Sequence, residues 1–170
     1  MTYFVWLLRI IHIVGGVFWV GGTLTMTFFI GPTVGATAEA GQKFIGHLMN
    51  NLKFSNRMSA AAGLTVLAGF ILFGLDARAG SAWVRSGMGV GLSIGAVFAL
   101  IGMITGIMIG RSAKAMADLG SKIQGKPSAD QLIQLQNIGK QQATISRISA
   151  LSLILAVIFM AVARYLGLPR

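Results

Sequence analysis

Few side chains in this 170-residue chain can do chemistry, and the most telling are Arg9 and His12 near its start and Met160 and Arg164 near its end. Arg9 and His12 stand three residues apart and Met160 and Arg164 four, so on helices each pair shares a face. An imidazole or a thioether offers a lone pair to iron, and a guanidinium one turn away offers positive charge to a carboxylate. A b-type haem between helices asks for that combination, with axial ligands for the metal and cations for the propionates. His12 with Met160, or two His12 side chains across a homodimer, would complete the ligation. The competing reading is structural: methionine packs, arginine extends its head group to the lipid surface, and a lone histidine bonds a backbone carbonyl.

Other chemistry is poorly provided for. The chain has no cysteine, which removes disulfides, thiolate metal sites, iron–sulfur clusters and covalently attached haem. His47 lies ten residues before the second apolar stretch and on the order of 30 Å from His12, so the two cannot share one metal within a chain. It reads as an interfacial polar residue near Asn50 and Asn51. The nine methionines form no close Met-x-x-Met clusters of the kind a copper pathway favours. No carboxylate falls inside an apolar stretch, which argues against a catalytic dyad or a proton relay.

The elements that must position these residues follow from composition. Hydrophobic residues make up 55% of the chain and charged residues 11%, far from the balance of a water-soluble domain. Four stretches, roughly 4–30, 58–75, 88–110 and 148–167, each suffice to cross a hydrocarbon core of about 30 Å. The expected fold is therefore all-α: an integral membrane four-helix bundle forming a single domain over residues 1–170. The N-terminal stretch lacks a basic leader and carries Arg9 and His12, so it reads as a retained span and not as a signal peptide. By rise per residue, His12 sits on the order of 12 Å below the outer boundary, and the matching level in the last span falls near Met160.

Between the spans, Gly31-Pro32-Thr33-Val34-Gly35 is expected to break the first helix, with Thr37 or Ala38 preceding a new one that begins at Glu39. Trp83, in the short second connection, reads as an interfacial anchor. Ser128 followed by Gln131 spells a capping box, placing the start of the last helix near Ala129. Residues 39–57 and 111–147 are polar enough to leave the bilayer. Phe44, Leu48 and Leu52, and Leu132, Leu135, Ile138 and Ile145, still keep helical apolar faces, so the extensions are expected to pack together as a small cytoplasmic bundle.

Charge sets the expected orientation. The first and third connections hold Lys43, Lys53, Arg57, Arg111, Lys114, Lys122, Lys126, Lys140 and Arg147, nine of the fourteen Lys and Arg. Cytoplasmic loops carry the excess of such residues, so both termini are expected outside the cytoplasm in a bacterial-type inner membrane. The net charge of +10 reads as contact with anionic lipid; without a reading module or interleaved aromatics it does not point to nucleic acid. Gly91, Gly95, Gly102, Gly106 and Gly110, with Gly15-Gly16 and Gly21-Gly22, follow spacings that allow close helix approach, either within the chain or to a second copy or larger complex.

The string Leu7-Leu8-Arg9-Ile10-Ile11-His12-Ile13-Val14-Gly15-Gly16-Val17-Phe18-Trp19-Val20-Gly21-Gly22 resembles the opening helix of the copper-resistance protein D-like membrane proteins and their relatives, the J-type protoporphyrinogen oxidases. The resemblance rests on His12, Trp19, Gly21 and Gly22, and implies a four-helix unit whose first-span histidine is a haem ligand. The chain departs from the oxidase branch in having no charge from Thr23 to Ile30 and no lysine inside a span. The expected function is b-type haem binding through His12, for electron transfer or haem-linked redox chemistry, with Met160 as second ligand and Arg9 and Arg164 at the propionates. The alternatives are a non-catalytic subunit or assembly factor of a larger membrane complex, and transport of copper or another small solute.

Overall fold

A computed structural model describes residues 2–123 and 125–166, except for the side chain of Ala38. Position 124 of the third connection, the expected end of the fourth span at 167, and Arg170 lie outside the described residues. Those described are almost wholly helical, and four of the helices are long and apolar enough to cross a membrane. The protein is an all-α, multi-pass membrane bundle.

The first helix, α1 (Thr2–Thr25), does not break at Gly31-Pro32. Proline cannot donate to the carbonyl four residues back, and its ring presses on that carbonyl. The chain absorbs the insult by widening Met26–Ile30 into a π turn, in which the Gly31 N–H reaches back to the Met26 carbonyl. Helix α2 (Gly31–Ala36) continues with Pro32 in its first turn, its missing N–H accommodated by the widened turn before it. The Thr33 and Thr37 hydroxyls donate to the Phe29 and Thr33 carbonyls, each at 2.7 Å. The break comes only at Thr37.

Helix α3 (Ala38–Asn50) then folds back on α2, because Gly41 lets its backbone lie directly on the Val34 carbonyl, where a Cβ would collide. Here the structure departs from the expected cytoplasmic bundle. Helix α3 touches only α2 and α4 among the described residues, leaving Phe44 and Leu52 exposed. The other two extensions do pair, with Met116 against Gly139.

Lys53, in the left-handed conformation at φ 51°, turns the chain into α4 (Phe54–Ala77). A four-residue helix, α5 (Ser81–Val84), follows, where Trp83 packs edge-on against Phe73. Helix α6 (Gly87–Ser121) is capped by Ser86, whose hydroxyl oxygen accepts the Gly89 N–H at 3.2 Å. Helix α7 (Ala129–Val162) starts with the expected capping box: Ser128 Oγ accepts from the Gln131 N–H, and Gln131 Oε1 accepts from the Ser128 N–H at 2.9 Å. A short 3-10 turn, Ala163–Tyr165, extends it.

Consecutive long helices run antiparallel. Helix α4 packs on α1, α7 packs on α6, and contacts between α4 and α6 and between α1 and α7 close the ring. Lipid tails are as apolar as leucine, so these helices gain little by hiding apolar side chains from one another; close van der Waals approach must hold them. Most buried residues are accordingly small, with Ala61, Ala62, Thr65 and Ala68 on α4 and Ser149, Ala150, Ser152, Ala156 and Ala163 along α7 and the turn that follows it, while Leu8, Trp19, Ile145 and Leu153 are the large ones. Large apolar side chains such as Val17, Leu67, Val97 and Leu151 point outward and form the lipid-facing belt.

The sharpest approach between the long helices is at Gly102 of α6, where an added Cβ would stand 2.5 Å from Cδ2 and 2.8 Å from Cγ of the fully buried Leu153. Gly106, one turn on, has nothing within 4 Å. Gly102→Ala should therefore destabilise the bundle by about 1–3 kcal/mol through overpacking, while Gly106→Ala leaves stability unchanged or slightly raised. Thermal unfolding of the two variants side by side in one detergent checks this; equal melting temperatures would contradict the packing described.

Candidate functional site: the His12 layer

His12 sits on the core-facing stripe of α1, between buried Leu8 and buried Trp19. Spacings of four and seven residues put all three on one face of the helix. The imidazole is half-buried against α4, where its Nδ1 lies 2.8 Å from the Thr65 carbonyl oxygen. A carbonyl can only accept, so Nδ1 carries the proton, and in the neutral ring Nε2 keeps a free lone pair. The ring is pressed close to Gly69, where an added Cβ would be 2.8 Å from Cε1 and 2.9 Å from Nδ1.

Thr65 supports this seam in two ways. Its carbonyl accepts the hydrogen bond from His12 Nδ1, and its Oγ1 points at Gly15, 2.6 Å from where a Cβ would stand. That Oγ1 is buried and makes no hydrogen bond among the described residues. A hydroxyl facing a glycine Cα gains at most a weak C–H contact, so the seam carries an unsatisfied polar atom next to the histidine.

Met160 is half-buried on a different seam, with its Cγ 2.8 Å from where a Cβ on Gly95 of α6 would be. The structure thus puts His12 against α4 and Met160 against α6, on two different seams. Their level is nevertheless shared. Trp19 and Leu153 belong to one buried cluster with Ala61 and Ala62. Deeper along the pair, the Thr27 hydroxyl reaches the Ser146 carbonyl at 3.5 Å, fixing the same antiparallel register between α1 and α7. His12 and Met160 each lie seven residues outward from that cluster, two turns along the same helix face. The layer they define takes Gly69 from α4 and Gly95 from α6, so two ligand-type side chains share it with two glycines.

Arg9 and Arg164 are one turn further out, and both are exposed. The Arg164 guanidinium lies over the ring of its neighbour Tyr165, 5.0 Å from the centroid. His47 is exposed in the last turn of α3, remote from the layer. Among the described residues no three His, Asp or Glu side chains come together in a metal-binding group.

The sequence reading does not single out Thr65 and Gly69 as partners of His12. Their signal is a run of small residues, Ala61, Ala62, Thr65, Ala68 and Gly69, at helical spacing on one face of the second apolar stretch, which marks the face another helix can approach. No known protein family, characterised protein or solved structure matches the chain.

The hydrogen bond from Nδ1 has a direct spectroscopic consequence. In ¹⁵N spectra of His-labelled protein, the neutral form of His12 should show a protonated Nδ1 and a bare Nε2. Gly69→Ala, which drives a methyl into the ring, should mix the tautomers; a bare Nδ1 in the unaltered protein would contradict the bond.

Proposed function

We propose that this protein binds a b-type haem in the membrane, with His12 as an axial ligand, in the service of electron transfer or haem-linked redox chemistry. The observation that carries the reading is the hydrogen bond from His12 Nδ1 to the Thr65 carbonyl. Metal-ligating histidines characteristically donate their other ring N–H to a carbonyl or carboxylate, which fixes the ring and makes the free nitrogen a better donor. The same bond would serve a purely structural histidine; Gly69, where an added Cβ would meet the imidazole, adds a surface of α4 fitted to the ring.

Met160 is the second ligand proposed from within the chain, at the level of His12 but on the seam with α6. The room left by Gly69 and Gly95 is taken by the imidazole and the methionine side chain themselves, so what favours the group is the chemistry of the donor set. Bound there, a haem would supply a one-electron iron couple. The chain's own part is to hold the imidazole in one tautomer, to keep water from the layer with Leu8, Trp19 and the apolar belt, and to offer Arg9 and Arg164 to the propionates at the surface. The resemblance of the first span to the copper-resistance protein D-like proteins supports the same reading. The positive-inside bias of Lys and Arg favours an inner-membrane orientation with both termini outside the cytoplasm.

A second reading, a non-catalytic subunit or assembly factor, draws on Gly106 and Gly110. They stand four residues apart on α6 with nothing within 4 Å of either, a face to which another membrane helix could come close.

Reduced-minus-oxidised spectra of detergent-purified protein, expressed with a haem supply, test the first reading. The expected result is a sharp Soret and α band at about one haem per chain. His12→Ala should abolish both bands, and Met160→Leu should keep a Soret band but lower the midpoint potential, because a methionine ligand raises it. An undiminished Soret band in His12→Ala would overturn the assignment, and a colourless protein that co-purifies with a larger complex would favour the second reading.

A further inference from the structure

An open groove of about 620 Å3 runs along the outside of the α1–α4 pair, on the lipid-facing surface. Ile10, Val14 and Phe18, four residues apart on α1, raise one wall, and each is at least half exposed. Gly15 and Ala61 form the floor, where the two backbones approach closely enough that an added Gly15 Cβ would lie 3.5 Å from the Ala61 carbonyl oxygen. The opposite wall, on α4, is low because Ala60 stands between Arg57 and Leu64. From Phe18 to Ile10 the groove runs about 12 Å along the helix axis.

Its lining is apolar except at one end, where Arg57 closes it. Arg57 is exposed and has no acidic partner; among the described residues the one ion pair is Lys43 with Glu39, at 2.8 Å. Helix α4 begins at Phe54, so the guanidinium stands within one turn of the helix end, on the side of the connection that holds Lys43 and Lys53. A channel of methyl and methylene groups in a membrane-facing surface, ended by one cation without an acidic partner among the described residues, suits an amphiphile with an apolar chain and an anionic head.

We propose that this groove is a binding site for an anionic phospholipid, with one acyl chain lying between α1 and α4 and the phosphodiester held by Arg57. A guanidinium meets phosphate oxygens through two parallel N–H donors, and burying the chain removes part of both surfaces from competing lipid. The site is independent of His12, which faces the inner side of the same helix pair.

Native mass spectrometry tests the proposal on protein released from vesicles of equal phosphatidylglycerol and phosphatidylcholine with matched chains. One near-surface cation contributes about 1 kcal/mol toward an anionic lipid, which corresponds to about a fivefold preference for phosphatidylglycerol among retained lipids. Arg57→Gln should bring that ratio to about one without reducing the total retained, and Arg57→Lys should restore part of it. Ala60→Trp, which fills the groove from an exposed position, should reduce retention of both lipids. Lys53→Gln serves as a control of equal charge change outside the groove and should leave the ratio as it was. A ratio unaffected by Arg57→Gln, a ratio lost in Lys53→Gln, or retention unaffected by Ala60→Trp would each overturn the site. Circular dichroism of every variant separates these outcomes from loss of fold.

Discussion

Everything in this bundle depends on how closely two helix backbones can approach in a medium that does not push them together. In water a leucine-rich seam would suffice; in lipid it gains almost nothing, and attraction comes from dispersion at short range. The chain meets this by placing small residues where helices cross and large ones where they meet lipid. Gly102 against Leu153, Gly95 against Met160 and Gly15 against Thr65 are three instances of one device, in which the missing methyl lets a partner's side chain fill the gap. Helix α7, lined by Ser149, Ser152, Ala156 and Ala163, is the member on which the ring closes.

That device also determines where polar atoms can be kept. Serine and threonine hydroxyls in the bundle mostly donate to carbonyls, as Thr23 does to Trp19 and Ser149 to Gly102, so they cost little when buried. Thr65 Oγ1 is different, because the glycine opposite it has no acceptor or donor to offer. The only histidine in the membrane part of the chain lies beside this unsatisfied hydroxyl. A hydrogen-bonded imidazole and an unsatisfied hydroxyl on the same α1–α4 seam set the His12 layer apart from the rest of the packing.

The extensions beyond the apolar stretches show how one local feature redirects the chain. Phe44, Leu48 and Leu52 have the spacing of a packed face, and periodicity alone sends them into a bundle with the other extensions. The break delayed to Thr37 and the contact of Gly41 with Val34 fold α3 back on its own predecessor instead, and among the described residues it meets neither α6 nor α7. Neither feature has a periodic signature, since the delay comes with a π turn of one extra residue and a backbone contact has no side chain.

Some of this protein is written in its sequence alone. The four apolar helices, the all-α fold, the Ser128 capping box, and the pairing of Arg9 with His12 on one helix face need only composition, spacing and short-range chemistry, because each is a property of a single segment. The spacing along each helix also leads one to expect His12 and Met160 at one level, since rise per residue is fixed. What only tertiary structure decides is which neighbour each residue meets: Thr65 and Gly69 for His12, Gly95 for Met160, Arg57 at the head of the α1–α4 groove. Those pairings depend on which face of each helix turns toward which partner. In lipid that choice is made by small residues fitting one another across seams, a relation between segments distant in sequence that the order of residues along the chain does not display.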